Sequence, residues 1–234
     1  MMFLVEETYI ALEYLLIFIP VILALIAQSM VDSAFTRGQS VSSEKSGYEI
    51  AYEMLINNGI NDVKIVRANG HLTDHYNPST KQLALSASVY DGRDASSVAV
   101  AAHEVGHAIQ HAKGYGMLKV RNSMVGVTNF ANSVSWILIF IGILLGALDL
   151  LLVGILLFGV VALFQLVTLP VELNASRRAY AYLVESYSIV SDEEKRASKS
   201  VLRCAAFTYI VALLTSIAQI LRFLLIFAGR RRDD

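Results

Sequence analysis

One cysteine in 234 residues, Cys204, excludes an intramolecular disulfide framework and fits a chain on a reducing side of a membrane or cell. Charge of one sign is equally scarce. Nineteen Lys and Arg against twenty Asp and Glu leave a formal net charge of −1, so there is no overall electrostatic drive toward nucleic acid. No internal repeat and no low-complexity tract is present, which argues against a solenoid or a disordered array. The first apolar segment lacks a basic region before it and a clear small-residue cleavage site after it. It therefore reads as a retained anchor rather than a cleaved signal.

What the chain has in excess is apolar sequence, 55% of its residues, and the excess lies in blocks. Residues 9–30, 130–148, 150–169 and 201–228 each suffice to cross about 30 Å of hydrocarbon at about 1.5 Å per residue. Glu13 lies near the start of the first, Asp149 separates the second from the third, and Arg203 and Arg222 interrupt the fourth. Glu13 and Arg222 read as residues reaching for an interface, and Tyr9 and Trp136 as rings marking interface levels. The alternative is a large soluble α/β enzyme with buried helices. Four discrete blocks favour a mainly α, four-span integral membrane protein.

Between the blocks the pattern changes. Residues 31–43 are polar and Ser-rich and read as a linker; residues 44–58 carry Ile50, Met54 and Leu55 on one helical face, with Gly59 placed to end the helix. Residues 63–66 alternate like a strand, Asn69-Gly70 signals a turn, and residues 83–85 form a second strand candidate. Asp94 or Ser96 can cap a helix running to about Ala112, with Gly114 as its stop. A tight turn around Asp149 makes the second and third spans a hairpin, which returns residues 171–199 to the membrane face that holds residues 94–112. Pro170 ends the third span or opens the next helix at its first turn. Ser191-Asp192-Glu193-Glu194 is a capping-box pattern that starts the last long helix.

The helix over 94–112 contains His103-Glu104-Val105-Gly106-His107, an H-E-x-x-H pattern. Residues four apart share a helical face, so both imidazoles can address one ion, with Glu104 beside them. A zinc ion held there would polarise water, and the carboxylate would take its proton and pass it to a leaving amine. The plainer reading is a helix with two incidental histidines.

A catalytic zinc commonly takes three protein ligands and keeps one position open. His111 shares the helical face, but along a straight helix it lies about 12 Å from His103, too far for one ion with bonds of about 2.0–2.1 Å. It reads as a supporting or surface residue. Glu172, just after the third span in Pro170-Val171-Glu172-Leu173-Asn174-Ala175-Ser176-Arg177-Arg178, is the better candidate, because the hairpin returns it to the face of His103. The alternative is an interfacial carboxylate paired with Arg177 or Arg178.

Leu72-Thr73-Asp74-His75-Tyr76-Asn77-Pro78, Leu85-Ser86, the run Ala101–His111 and the run Leu169–Ala179 together resemble the neutral zinc metallopeptidases of bacterial membranes, the YugP type. The likeness covers most of the chain, the spacing of the spans included. It implies a zinc-dependent membrane protease of the bacterial cytoplasmic membrane, with His103 and His107 as ligands and Glu104 as general base. More distantly, the Glu172 segment is similar to the E-x-x-A-D element of HtpX-type membrane proteases, whose Glu is the third ligand. Ser176 stands where that wider group has Asp, so whatever that Asp does would fall to another residue here.

The expectation is therefore a small zincin-like α+β metallopeptidase domain over residues 31–129, completed by a ligand helix over residues 170–200. His103, His107 and Glu172 hold Zn²⁺, and Glu104 activates water in a gluzincin-like endopeptidase. Its partners are the lipid bilayer and protein or peptide substrates at or near the membrane. His75, in a loop between the two strand candidates, is a candidate oxyanion donor, the alternative being a turn held by Asp and Asn side chains. The strand near Leu83 could offer an edge to an extended peptide. Most Lys and Arg near span ends, from Arg37 to Arg203, fall on the side of His103, which places the site in the cytoplasm; only Arg230-Arg231-Arg232 dissents. The rival functions are a non-catalytic membrane adaptor with a structural zinc and a metal transporter. A structural site would be closed by four ligands, and a transporter would carry its polar ligands inside the spans.

Overall fold

The computed structural model describes residues 2–70, 73–185 and 191–233, with side chains from 11 to 231. The elements in chain order are α1 (Met2–Gln39), α2 (Gly47–Asn57), β1 (Lys64–Ala68), β2 (His75–Asn77), β3 (Gln82–Ser86), α3 (Ala87–Asp91), α4 (Ala95–Ala112), α5 (Gly116–Leu145), α6 (Leu148–Glu185) and α7 (Asp192–Asp233). Four stretches are long and apolar enough to cross a membrane: Ala11–Gln39, Gly116–Leu145, Leu148–Glu185 and Asp192–Arg231. The protein is thus a mainly α membrane protein with one small sheet.

The chain divides into two compact units. One comprises Met1–Ile26, Val120–Leu169 and Thr208–Asp234; the other comprises Ala27–Lys119 and Pro170–Phe207. In the first, Ile139, Leu151, Ile155, Phe158 and Phe223 form a buried cluster. Trp136 packs edge-on against Phe158 and Phe223, at 5.6 and 5.7 Å between ring centroids. The ring expected to mark an interface therefore ties three helices together, while its other side stays exposed. Tyr9 falls outside the described side chains. The turn between α5 and α6 comes at Gly146, whose φ is +67°, rather than at Asp149, which sits in the first turn of α6.

In the second unit α2 and α4 pack against the sheet, burying Ile50, Met54, Leu55, Leu83, Leu85, Val98 and Val105. Ser46 and Glu49 close a capping box at the start of α2. Gly59 and Gly114, at φ +70° and +64°, follow α2 and α4 as the sequence pattern requires. Asp94, not Ser96, caps α4, accepting from the Ser96 and Ser97 amides. Ser96 Oγ instead donates to Phe35 O at 2.7 Å.

That contact explains the first correction. The expected linker over residues 31–43 is helical as far as Gln39, because Ala34 and Phe35 are buried and a Cβ on Gly38 would collide with Ser96 Oγ. Tertiary burial overrides the polar composition. A second correction concerns Pro170, which neither ends nor opens a helix but lies inside α6. Helices of membrane proteins tolerate proline where neighbouring groups satisfy the freed carbonyl. Helix α5 begins at Gly116 and runs unbroken to Leu145, so residues 116–129 are helical. Ser191 does accept from the Glu194 amide at the start of α7, as the capping pattern predicts.

The sheet has the order β1-β3-β2, with β1 parallel and β2 antiparallel to β3. His75 and Tyr76 therefore lie on an edge strand, not in a loop. The strand at Leu83 is central and offers no edge.

Candidate metal centre

α4 and α6 meet where Gly106 faces Ala175. A Cβ at Gly106 would lie 2.8 Å from Ala175 O and 3.1 Å from its Cα, so glycine alone permits the two backbones to come this close. The approach brings Glu172 of α6 over the histidine face of α4. Glu172 Oε2 lies 3.2 Å from His103 Nε2 and 3.5 Å from His107 Nε2, and the two rings stand at 89° with centroids 4.9 Å apart. The three donor atoms fall within 4.8 Å of one another.

These separations test the site for a metal. A tetrahedral ion with bonds of about 2.0–2.1 Å sets its ligand atoms about 3.3 Å apart, between the two distances observed. Glu172 is only 3% exposed, and a carboxylate so buried needs positive charge beside it. Two imidazoles and a carboxylate are also a donor set that zinc accepts. The residues fit.

Each imidazole is fixed from behind. With a metal on Nε2, His103 Nδ1 would carry the N–H, and Ser176 Oγ lies 3.1 Å from it, placed to accept. Ser176, which stands where the wider group has Asp, is thus in contact with the first imidazole. His107 Nδ1 lies 3.0 Å from Gln110 Oε1. The fully buried Gln110 amide then donates to Val171 O at 2.8 Å and to Asn174 Oδ1 at 3.0 Å, locking α4 to α6. Sequence reasoning missed Gln110 and Ser176, yet each carries a helical signal. Gln110 is three residues past His107, and Ser176 four past Glu172.

Glu104 lies beside the two imidazoles and is partly buried. Burial pushes its carboxyl above the usual range, and the charges of Glu172 and Asp74 add to this, while His103 and His107 oppose it. For His107, burial pulls the pKa down. The hydrogen bond to Glu172 and the charges of Glu104 and Glu172 outweigh it and hold the ring at about 9 before any metal binds.

The other candidates are not among the three clustered donors. His75 is exposed, with Nδ1 2.8 Å from Thr73 O. Asp74 accepts from the Ser86 amide and hydroxyl, twelve residues on, and Asn77 accepts from the Ser79 and Thr80 amides in the turn that follows β2. His111 is outside the metal cluster, its Nδ1 2.8 Å from Tyr76 Oη. Leu72 falls outside the described residues. Glu172 has neither Arg177 nor Arg178 as an ion-pair partner among the described residues; Arg178 Nε donates to Asn174 Oδ1.

Comparison with known proteins agrees with this construction. Residues 13–228 match the family described as "Putative neutral zinc metallopeptidase". The chain is 44% identical over 210 residues to the "Putative membrane protease YugP" of Bacillus subtilis (strain 168), covering 89% of this chain and 93% of that protein. No solved structure matches the chain. With a match that spans nearly its whole length and a donor set that fits the cofactor, the chain belongs to this family of zinc metallopeptidases.

Proposed function

We propose that the protein is an endopeptidase of the zincin type, cleaving protein substrates at or near the membrane. His103, His107 and Glu172 hold the zinc, and Glu104 acts as general base. The observation that carries this reading is that Glu172 stands 3.2 and 3.5 Å from the two imidazoles, all three donors within 4.8 Å of one another, with a carboxyl group of raised pKa beside them. Zinc, when bound, supplies the Lewis acidity that polarises a scissile carbonyl and makes water a better acid. Glu104 takes the proton released as water attacks that carbonyl, then delivers it to the departing amine nitrogen; its raised pKa suits both transfers. Ser176 and Gln110 keep the two imidazoles aimed throughout. The edge strand β2, tied to the motif helix through Tyr76 and His111, offers main-chain groups to an extended peptide. Three donors rather than four in the cluster, among the described residues, favour a catalytic over a structural ion.

The charge bias of the span ends supports a site facing the cytoplasm. Because Ser43 is buried, the exposed Glu44 is the better reporter. In a Cys204→Ala background, Glu44→Cys should resist an impermeant thiol reagent in intact cells, and labelling there would reverse the assignment. The chemistry is tested by comparing purified wild-type and Glu104→Gln protein for zinc content and casein hydrolysis. Glu104→Gln should keep its zinc and lose roughly 10²–10⁴-fold in turnover. Equal activity of the two proteins would end the protease reading.

A further inference from the structure

We propose that a groove between α6 and α7 binds the phosphate headgroup and first acyl segment of an anionic phospholipid. The groove has a volume of about 480 Å³, with Arg177, Lys199 and Arg203 among its lining residues and apolar surface supplied by Leu173, Leu202 and Ala206. Elsewhere in the same unit several basic side chains are paired: Lys45 with Glu53, Arg67 with Asp91, Lys81 with Asp62, Arg93 with Glu49 and Lys195 with Asp192. Among the described residues, Arg177, Lys199 and Arg203 have no carboxylate partner. Lys199 instead stands 5.0 Å over the Tyr180 ring, which also lines the groove. Lys199 and Arg203 also border a second cavity of about 500 Å³.

Three uncompensated cations converging on one groove call for an anion, and their position says which. Charged residues recur along α7 up to Arg203, after which residues 204–221 contain none. On α6 the apolar run 150–169 ends shortly before Arg177. The cations therefore stand where membrane-crossing stretches begin, at the depth of lipid phosphates, and the apolar lining residues suit a hydrocarbon chain rather than a soluble phosphate. Guanidinium groups bind phosphate oxygens in pairs, and an ammonium adds a point charge.

The test uses the full chain reconstituted in phosphatidylcholine vesicles, with spin-labelled phosphatidylglycerol and spin-labelled phosphatidylcholine as probes of preference at the protein surface. The wild type should prefer phosphatidylglycerol. Replacing Arg177, Lys199 and Arg203 by Gln should lower that preference by roughly fivefold per charge removed, at unchanged zinc content. The matched replacement of Arg37, Lys113 and Lys119 should leave it intact. Ala206→Phe, which fills the groove without altering charge, should lower it as well. Ser176 also lines the groove but is left in place because it holds His103. The proposal falls if the groove triple variant keeps the wild-type preference, if the matched control loses as much, or if Ala206→Phe has no effect. It also falls if soluble glycerol phosphate or an acidic peptide displaces the lipid at equal concentration.

Discussion

In the unit built from span segments, glycines let helices touch along their backbones. A Cβ on Gly142 would lie 2.7 Å from Leu151 N, and one on Gly154 would lie 2.7 Å from Ile139 Cγ1 and 3.0 Å from Ile139 N. What surrounds these contacts is apolar: Leu151, Ile155, and the rings of Phe158 and Phe223. In the other unit Gly106 makes the same approach to Ala175, but the surroundings are Glu172, Gln110, Asn174, Ser176 and two imidazoles. Close packing in the first unit sets only how well hydrocarbon surfaces fit. In the second it sets the distance between the proposed metal ligands, which stand on two different helices. A disturbance of the same size should be read in stability in one unit and in zinc in the other.

The comparison breaks first if the ligand set is wrong. Glu172→Ala should strip most of the zinc, like His103→Ala or His107→Ala, while His111→Ala should leave it nearly unchanged. Metal analysis of the purified variants decides this, and zinc loss in His111→Ala alone would dissolve the two-helix site.

Next come the supports. Gln110→Ala and Ser176→Ala should each weaken zinc binding by roughly 10–100-fold, measured by chelator competition. Ser176→Thr, which keeps the hydroxyl, should recover most of the loss. If both alanine variants bind zinc like the wild type, the polar surroundings of Gly106 are no more than packing.

A smaller, graded effect is expected with pH. His107 has its pKa raised from 6.5 to about 9 in the metal-free protein. The stability it lends that form is complete below about 6.5 and disappears as pH climbs through about 9. Zinc competes for the same nitrogen, so its affinity should rise by about tenfold per pH unit across this window and then level off. A flat affinity profile over the window would remove the proton from His107.

The smallest effect sharpens the comparison most directly. Gly106→Ala and Gly154→Ala should each destabilise the protein by about 1–3 kcal/mol through overpacking. Only Gly106→Ala should also lower zinc affinity. Parallel thermal unfolding and zinc titration of the two variants would show it, and an equal zinc defect in Gly154→Ala would erase the distinction.

Much of the site was legible before the structure because helical spacing is strict. The histidine pair follows from positions 103 and 107, the helix limits from Asp94 and Gly114, and Glu172 from the hairpin that folds residues 150–169 back. What was illegible depended on partners distant in sequence. The helix through residue 39 is held by burial of Ala34 and Phe35 and by Ser96, 61 residues from Phe35. β2 has only three residues, too short for an alternating pattern, and its pairing with β3 is what moves His75 out of a loop. The run of α6 through Pro170 contradicts the local preference of proline, and a local preference was all the sequence offered there.

Gly106 gives the H-E-x-x-H pattern a meaning that its spelling omits. The pattern leaves its fourth letter open, as though any residue could stand between the glutamate and the second histidine. In this chain that letter is the hinge pin of the proposed site, since Glu172, the proposed third ligand, arrives on a helix that lies directly against it. A relative carrying a bulkier residue there, with both histidines and both glutamates intact, would need a compensating recess opposite Gly106 or would hold its zinc poorly. When such sequences are sorted into active and inactive members, the neighbour of the second histidine and the residue facing it should be read as a pair.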